Sequence, residues 1–340
     1  MSGDHHAVPE FQVPNPARMY DYYLGGKDNF PADREAAEKV IAAYPETRTL
    51  ARANRRFLTR AVWFMAEHGI RQYIDLGTGL PTSPNVHEVA RQVRPDARVV
   101  YVDNDRMVNT LSRALCVAHD GVTVVDGDIR FPQEVLANRR LTELIDFSEP
   151  VAILCVSVVH FIRENENPRE ILAALRWRMA PGSYLVLSHA ATDGIDQQVL
   201  SEIGAVYEDA TAPAVPRSAA DIRDFFTGLE LVEPGLVDVS QWRPDRRARA
   251  TKIRILAGVG RKPLLRPTTY SHGQKDHHLM TDTRDKYGDP PVDVTVSDIS
   301  TSPLPSPRVP AAPPGGGHPP RWIQVDQETL ARVRAALRRL

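Results

Sequence analysis

Ile74-Asp75-Leu76-Gly77-Thr78-Gly79-Leu80-Pro81 decides the fold, because it ends an apolar strand, turns at two glycines and leads to a helix near Asn85. Glycine has no Cβ, so the backbone of such a turn can lie directly against a bound molecule. The amino end of the following helix favours an anionic group such as a carboxylate or a phosphate. We therefore expect Asp75, Gly77 and Gly79 to contact a ligand.

An acidic residue follows the next strand of the pattern. Asp103 lies about 25 residues beyond the glycine turn, where a carboxylate can accept hydrogen bonds from the hydroxyls of a ribose. The alternative role for Asp103 is a cap on the following helix, but Asp105 is the better candidate for that cap. We expect Asp103 to bind a ribose, with Asn104 beside it at the same site.

A second acidic turn, Asp126-Gly127-Asp128-Ile129-Arg130, follows the third strand. The carboxylate of Asp128 suits the exocyclic amine of adenine, and Ile129 can pack on the ring. The alternative is an ordinary turn built on Gly127. We expect Asp128 and Ile129 to hold an adenine.

The combination of these three motifs is more specific than any one of them. A nicotinamide-binding fingerprint needs a third glycine where Thr82 stands, and Pro81 interrupts the start of its helix. This disfavours a nicotinamide-dependent oxidoreductase. A glycine turn followed by two strand-end acids fits an adenosyl ligand that has no pyrophosphate, so the sequence predicts S-adenosylmethionine as the cofactor.

Short β-rich runs alternate with helical ones through the middle of the chain. The strand candidates are Tyr73–Leu76, Val99–Val102, Val122–Val125, Val151–Val156, Tyr184–Ser188, Leu229–Val232 and Lys252–Val259. Nearly continuous apolar strands between helices are typical of a mostly parallel sheet that is covered on both faces. The sequence therefore predicts a doubly wound α/β fold.

Several runs together resemble an actinobacterial S-adenosylmethionine-dependent methyltransferase family that was long catalogued as a domain of unknown function. They occur in the right order between about Pro14 and Lys262: Ala17–Phe30, Asp75–Thr82, Val100–Asp105, Val159–Phe161, Ala180–Leu185 and Ser188–His189. The resemblance implies the class I, Rossmann-like methyltransferase fold, with a mostly parallel sheet and an antiparallel last strand. Leu229–Leu236 and Lys252–Val259 would form its closing hairpin.

The chain departs from this family in two places. After Asp105 the family pattern has a proline and, a little later, a histidine, where this chain has Arg106 and Leu111. Both positions follow the predicted ribose-binding acid, so they leave the prediction of the cofactor unchanged. The resemblance implies a methyltransferase and does not identify its methyl acceptor, which we expect to be a small molecule. The alternative is a non-catalytic S-adenosylmethionine-binding sensor or interaction module.

Composition divides the chain into five segments. We expect a flexible N-terminus over residues 1–15, a helical cap or lid over 16–71 and the cofactor-binding domain over 72–262. Twelve of the 28 prolines lie beyond Lys262, which predicts a disordered linker over 263–321. Helical spacing of apolar residues resumes near the end and predicts a short amphipathic helix over 322–340.

The segment Tyr20–Phe30 mixes aromatic and polar residues around the pair Gly25-Gly26. It predicts either a lid that hinges at the glycines and covers the cofactor, or an ordinary packed arm. Tyr23 and Lys27 are its candidate catalytic residues. Lys27 would meet the cofactor carboxylate, although a solvated lysine is the alternative.

His160 lies at the end of the fourth strand, where open α/β sheets bind their ligands. It is a candidate general base toward the acceptor, and the alternative is a histidine that packs on the next helix. On an ideal strand Ser157 would point to the opposite face of the sheet. Because the chain leaves the sheet near this point, we expect Ser157 to line the cofactor cleft.

Charge and cysteine content narrow the classes of protein. The 42 Lys and Arg nearly balance the 43 Asp and Glu, and the net charge of -1 predicts neither a nucleic-acid nor a membrane partner. The two cysteines, Cys116 and Cys155, lie in apolar runs and give neither a disulfide framework nor a metal-binding pattern. The pairs His5-His6 and His277-His278 have no recognisable ligand spacing either, so we expect no bound metal. The first residues do not resemble a signal peptide, which predicts a cytoplasmic protein.

Overall fold

The computed structural model describes residues 10–117, 119–244 and 254–264. The predicted C-terminal helix, nearly all of the predicted linker and the first two residues of the last predicted strand lie outside these ranges. Ten α-helices occur in the described residues: α1 Pro16–Leu24, α2 Pro31–Ala43, α3 Thr47–Glu67, α4 Val86–Arg91, α5 Arg106–Cys116, α6 Pro132–Ala137, α7 Arg139–Leu144, α8 Pro168–Arg178, α9 Gln197–Glu208 and α10 Ala219–Asp224. Short 3-10 helices span Glu10–Gln12, Val159–Phe161 and Glu164–Glu166.

Eight strands of the described chain form one sheet. They are β1 Gln72–Leu76, β2 Arg98–Asp103, β3 Val122–Asp126, β4 Ala152–Val156, β5 Tyr184–Ala190, β6 Glu230–Leu231, β7 Val237–Asp238 and β8 Ile255–Arg261. The spatial order is β3-β2-β1-β4-β5-β8-β6, and β7 also pairs with β8. Strands β1 to β5 pair in parallel, whereas β8 runs antiparallel to β5, β6 and β7. The predicted doubly wound fold with an antiparallel last strand is therefore confirmed.

The closing hairpin differs in detail from its prediction. Its first arm consists of two short strands, β6 within the predicted range and β7 just beyond it, and a turn over residues 232–235 separates them. The last strand continues to Arg261, which lies opposite Tyr184 in the register with β5. The extra length lets β8 pair along the whole of β5.

The sheet has an apolar layer on each face. Successive residues of a strand point to opposite faces, and the core follows that alternation: Tyr73 and Val99 belong to one buried cluster, and Ile74 and Val100 to the other. Helix α3 packs on the first face, where Phe57 contacts the fully buried Trp242 edge-on. Both faces of the parallel strands are thus buried, as their continuous apolar runs predict.

The order of the strands places an open crevice between β1 and β4. From β1 the chain winds outward through β2 and β3, and it then returns to β4 and β5 on the other side. Ligands of open α/β sheets bind at such a switch point, at the carboxyl ends of the strands. Helices α1, α2, α3 and α9 form a further apolar cluster with one another.

In the described residues, no helix is both long enough and apolar enough to cross a membrane.

Candidate functional site

A cleft of about 730 Å³ lies at the carboxyl ends of the parallel strands. Ten of the residues that the sequence predicts for the site line it: Tyr23, Asp75, Gly77, Gly79, Asp103, Asn104, Asp128, Ile129, Ser157 and His160. Lys27 does not line it. The volume lies within the range of small-molecule sites. Motifs that are far apart in the sequence thus meet in one cavity.

The two glycines of the turn after β1 are needed for different reasons. Both have φ of +65°, a left-handed conformation that side chains with a Cβ rarely adopt. A Cβ on Gly77 would lie 2.3 Å from a methyl carbon of Val158, so this position admits no side chain. A Cβ on Gly79 would have no heavy atom within 4 Å, because this residue faces the open cleft. The backbone at Gly79 is therefore accessible to a bound molecule.

Asp103 ends β2 and faces the same turn. The backbone N–H groups of Gly79 and Asp105 donate to its carboxylate, at 2.9 and 3.0 Å. Burial raises the pKa of Asp103 to about 6, although the backbone N–H donors favour the charged form. The carboxylate is still ionised at neutral pH, and its remaining lone pairs are available to hydroxyl donors.

Asp75, the fourth residue of β1, is 4% exposed and lines the cleft. The hydroxyl of Thr78 donates to its Oδ2 at 2.9 Å. Burial raises the pKa of Asp75 to about 6, and the Thr78 hydrogen bond and the nearby Arg55 partly oppose this shift. At neutral pH the cleft thus holds two buried carboxylates, Asp75 from β1 and Asp103 from β2.

Asp128 forms a polar cluster at the end of the cleft next to β3. Its Oδ1 accepts from the backbone N–H of Arg130 at 2.9 Å, and the guanidinium of Arg130 donates to both carboxylate oxygens. Asn104 donates from Nδ2 to Asp128 Oδ2 at 3.2 Å. Burial acts to raise the pKa of Asp128, but the donors from Arg130 and Asn104 outweigh it and hold the pKa below its ordinary value. Ile129, 9% exposed, provides an apolar surface beside this cluster.

Ser157 lines the cleft because the chain changes direction there. It follows β4 directly and has φ of +55°, the left-handed region that non-glycine residues rarely adopt. Its N–H donates to Ser188 Oγ at 2.9 Å, and Ser188 Oγ donates to Asn54 Oδ1 at 2.7 Å. Asn54 Nδ2 donates to the hydroxyl of Tyr20 at 3.0 Å. A continuous polar chain therefore joins the end of β4 to helix α1.

His160 lies in the 3-10 helix that follows Ser157 and is 7% exposed. Its Nδ1 accepts from the N–H of Ala190 at 3.3 Å. Burial, and secondly the charge of Arg217, lower the pKa of His160 to about 3, so the ring is neutral at physiological pH. With Nδ1 as the acceptor, the ring proton resides on Nε2. This arrangement makes His160 a hydrogen-bond donor toward a ligand and a weak base.

Tyr23 and Lys27 lie in different environments. Tyr23, on α1, is 4% exposed, and its hydroxyl lies 3.3 Å from the hydroxyl of Tyr207 on α9. Gly25, whose φ is +89°, caps the carboxyl end of helix α1, and Lys27 follows at an exposed bend outside the cleft. The structure therefore brings Tyr23 to the site and leaves Lys27 at the surface.

Arg55, on α3, is a cleft residue that the sequence reasoning missed. Its guanidinium donates to the carbonyl of Pro84 at 2.9 Å and also to that of Thr82, in the loop after the glycine turn. Its Nε is buried and has no partner among the residues that the structure describes. A signal was present, because Arg55 lies three residues before Leu58, on the apolar face of the helix. A cation on that face points toward the sheet.

The described part of the cleft contains no set of metal ligands. Within the described residues, no group of three or more His, Cys, Asp or Glu side chains is placed to bind a metal ion.

Residues 4–263 match a family model described as S-adenosyl methyltransferase. The chain belongs to the S-adenosyl methyltransferase family. The resemblance inferred from the sequence motifs, and the methyltransferase class that it implies, are thereby confirmed. No curated protein matches the sequence.

Two solved structures are similar to this member of the S-adenosyl methyltransferase family. One is a candidate methyltransferase from Thermobifida fusca, 38% identical, with 77% of this chain and 100% of that chain covered and a TM-score of 0.71. The other is a protein of the DUF574 family from Streptomyces avermitilis, also 38% identical, with 75% and 99% covered and a TM-score of 0.71. The fold of the family thus extends over nearly the full length of both relatives.

Proposed function

We propose that this protein transfers a methyl group from S-adenosylmethionine to a small molecule bound in the same cleft. The observation that carries the proposal is the meeting of the glycine turn with Asp75, Asp103 and Asp128 in one cavity. These residues match an adenosyl amino acid in chemistry as well as in order. The open space beside Gly79 and the position of the Arg55 cation in the cleft wall are further features that suit such a ligand.

Each part of the cofactor has a matching group in the cleft. Asp103 accepts hydrogen bonds from the ribose hydroxyls, and its ionised form makes these bonds charge-assisted. Asp128 and Asn104 bind the polar edge of adenine, while Ile129 covers its face. Asp75 pairs with the ammonium of the methionine moiety, whose backbone lies along Gly77 and Gly79.

Arg55 takes the role that the sequence suggested for Lys27. The methionine carboxylate needs a cation near the glycine turn, and Arg55 is held there by its bonds to the carbonyls of Thr82 and Pro84. Lys27 is exposed outside the cleft. A guanidinium binds a carboxylate through charge-assisted N–H donors, and Arg55 lines the cleft beside this turn.

The bound cofactor supplies a methyl group that is already activated by the positive charge of its sulfonium. The protein therefore contributes mainly positioning and exclusion of water. The polar chain from Ser157 to Tyr20 fixes the wall near the end of β4, and the neutral His160 donates from Nε2 to the acceptor. A residue acting as a general base is not required.

Isotopic transfer tests this function directly. Purified protein is incubated with S-adenosylmethionine labelled on its methyl group and a small-molecule extract of cells, and products are separated by mass. We expect a labelled small molecule and an equal amount of S-adenosylhomocysteine. At limiting S-adenosylmethionine, Asp103→Ala is expected to lower the yield of both products, whereas Asp126→Ala, at an exposed carboxylate outside the cleft, is expected to keep it. Cofactor binding without labelled product would contradict methyl transfer to a small molecule.

A further inference from the structure

The cleft continues beyond the predicted cofactor residues into a region that we call the acceptor chamber. Six residues define it: Tyr23, Val40, Ala51, Phe161, Ile203 and Tyr207. All six line the cleft, and they belong to the apolar cluster that helices α1, α2, α3 and α9 form together. The chamber therefore lies between the N-terminal helices and α9.

Aromatic rings make up half of this chamber. The rings of Phe161 and Tyr207 lie with their centroids 5.7 Å apart and their planes at 43°. The Tyr23 ring joins them through the contact between its hydroxyl and that of Tyr207. Rings in tilted contact present edges and faces to a further ring, which favours a flat aromatic ligand over a flexible chain.

The chamber offers no charge to a ligand. Of the charged residues that line the cleft, Asp21 and Arg163 lie closest in sequence to chamber residues. The carboxylate of Asp21 accepts from the N–H of Asp28 at 2.9 Å and from Asn29 Nδ2 at 2.8 Å, and so holds the turn after α1. Arg163 pairs with Glu208 at the surface, at 3.0 Å. The other charged residues that line the cleft are proposed cofactor-binding residues or bond to residues of that group: Arg55, Asp75, Asp103, Asp105, Asp128, Arg130 and Glu166.

The chamber does offer one neutral hydrogen-bond donor. Tyr23 and Tyr207 share a single contact between their hydroxyls, so only one of the two protons is used. Burial raises the pKa of Tyr23 well above its ordinary value, and burial likewise raises that of Tyr207. Both are therefore protonated at physiological pH, and the second O–H can donate to an oxygen or nitrogen of a ligand.

We propose that the methyl acceptor is an uncharged aromatic molecule that carries a hydroxyl or amine group, which the acceptor chamber binds by its rings and by the Tyr23–Tyr207 hydroxyl pair. This inference rests on the proposed function. A carboxylate or ammonium group in the chamber would lose its water without gaining an opposite charge, and such burial is strongly unfavourable. The chamber thus selects neutral rings.

The reaction of such an acceptor balances without a further reagent. The lone pair of the acceptor oxygen or nitrogen forms a bond to the methyl carbon. The carbon–sulfur bond breaks and leaves its electron pair on sulfur, so the sulfonium becomes a neutral thioether. The heteroatom then loses its proton to water at the mouth of the cleft.

Matched ring compounds test the charge preference. Naphthol, naphthylamine and hydroxynaphthoic acid are each titrated by calorimetry into protein saturated with S-adenosylhomocysteine. We expect the two neutral probes to bind at least about tenfold more tightly than the carboxylate probe. Comparing the hydroxyl with the amine probe, by binding and then by methyl transfer, shows which nucleophile the chamber prefers.

Two variants connect this preference to the chamber. Ile203→Lys is expected to weaken binding of naphthol and to strengthen binding of hydroxynaphthoic acid, because it adds a cation to the wall. Ser201→Lys adds the same single positive charge at a nearby exposed position of α9 and is expected to change neither. If Ile203→Lys does not fold, Tyr207→Phe tests the chamber instead, because it removes only the hydroxyl. It is expected to weaken naphthol binding by about fivefold.

The outcomes separate the two proposals. Failure of S-adenosylhomocysteine to bind would overturn the proposed function itself. Normal binding of S-adenosylhomocysteine, with the carboxylate probe bound as tightly as the neutral probes or with none of the neutral probes bound, would overturn the acceptor inference alone.

Discussion

Asn15 donates from Nδ2 to the carboxylate of Asp105 at 3.0 Å, across 90 residues of sequence. The same carboxylate caps helix α5, where it accepts from the N–H of Val108 at 2.9 Å, and it pairs with the buried guanidinium of Arg18 at 3.5 Å. Asp105 lies two residues after Asp103, the predicted ribose-binding acid. The start of α1 is thus fixed directly to the turn that forms the predicted ribose site.

Arg18 is the cation that joins the start of α1 to Asp33 and Asp105. Its Nε donates to Asp33 at 2.8 Å, and both side chains are almost fully buried. Arg18→Met would leave the Asp33 charge without its partner, so we expect the free energy of unfolding to fall by about 3–5 kcal/mol. Arg139→Met, at the highly exposed Arg139–Glu143 pair, is the control and should leave stability unchanged. Equal stability of the two variants in chemical denaturation would show that the junction contributes little.

The segment 20–30 is predicted to tighten when the cofactor site is filled. Tyr20, Asp21 and Tyr23 line the cleft, and the hydroxyl of Tyr20 ends the polar chain from Ser157. We expect amide hydrogen exchange in residues 20–30 to slow when S-adenosylhomocysteine binds, with no change in the remote helix α7. Exchange in 20–30 that is insensitive to a bound ligand would mean that this segment is only a packed arm.

Affinity for S-adenosylhomocysteine should depend on pH through Asp75 and Asp103. Burial raises the pKa of each to about 6, so both lose their charge as the pH falls through that value. We expect affinity to be constant above about pH 7 and to fall below about pH 6. The double variant Asp75→Asn/Asp103→Asn should bind weakly at every pH. Affinity that rises on acidification would exclude the assigned roles.

Stability of the ligand-free protein should show the opposite trend. A carboxyl whose pKa is higher in the folded chain than in the unfolded one binds more protons when folded, so folding is favoured at low pH. Relative to the double variant, the native sequence should therefore gain stability as the pH falls from about 6 to about 4. Thermal melts of both proteins across that range measure this difference.

Lys262 is expected to be the last residue that the cofactor-binding domain needs for its stability. Its Nζ donates to the carbonyls of Arg176 and Met179, at 2.9 and 2.6 Å, and so caps the end of helix α8. Lys262→Met is expected to lower the free energy of unfolding by about 1–2 kcal/mol.

Removal of all residues after Lys262 should leave the melting temperature and the affinity for S-adenosylhomocysteine nearly unchanged. Unfolding of the truncated chain would show that the later residues contribute to the core.

The sequence predicted the sheet well because its strands are nearly continuous apolar runs that are buried on both faces. The helix cap at Asp105 was also predictable and is confirmed, since a short acidic side chain before a helical run has one common role. The division of the closing hairpin at Pro234 and Gly235 was not predicted. Both halves pair with the same strand, and the apolar pattern does not distinguish them from one longer strand.

The remaining differences depend on contacts that are distant in sequence. Asn15 was predicted to be flexible, yet it is 8% exposed and caps α1; the Asn-Pro step before a helix was the local signal for that role. Its bond to Asp105 had no local signal. Ser157 does line the cleft, because its left-handed backbone turns it from the direction that an ideal strand would give. The direction of Lys27 likewise depends on the turn at Gly25.

Calorimetric titration with S-adenosylhomocysteine tests the central claim most directly, using Asp103→Ala and Asp126→Ala as a matched pair. The two residues lie opposite each other in the register of β2 and β3, but only Asp103 lines the cleft. We predict that the native protein binds, that Asp103→Ala loses about 1–3 kcal/mol of binding free energy and that Asp126→Ala loses none. Absence of binding by the native protein, or equal losses in the two variants, would contradict the account.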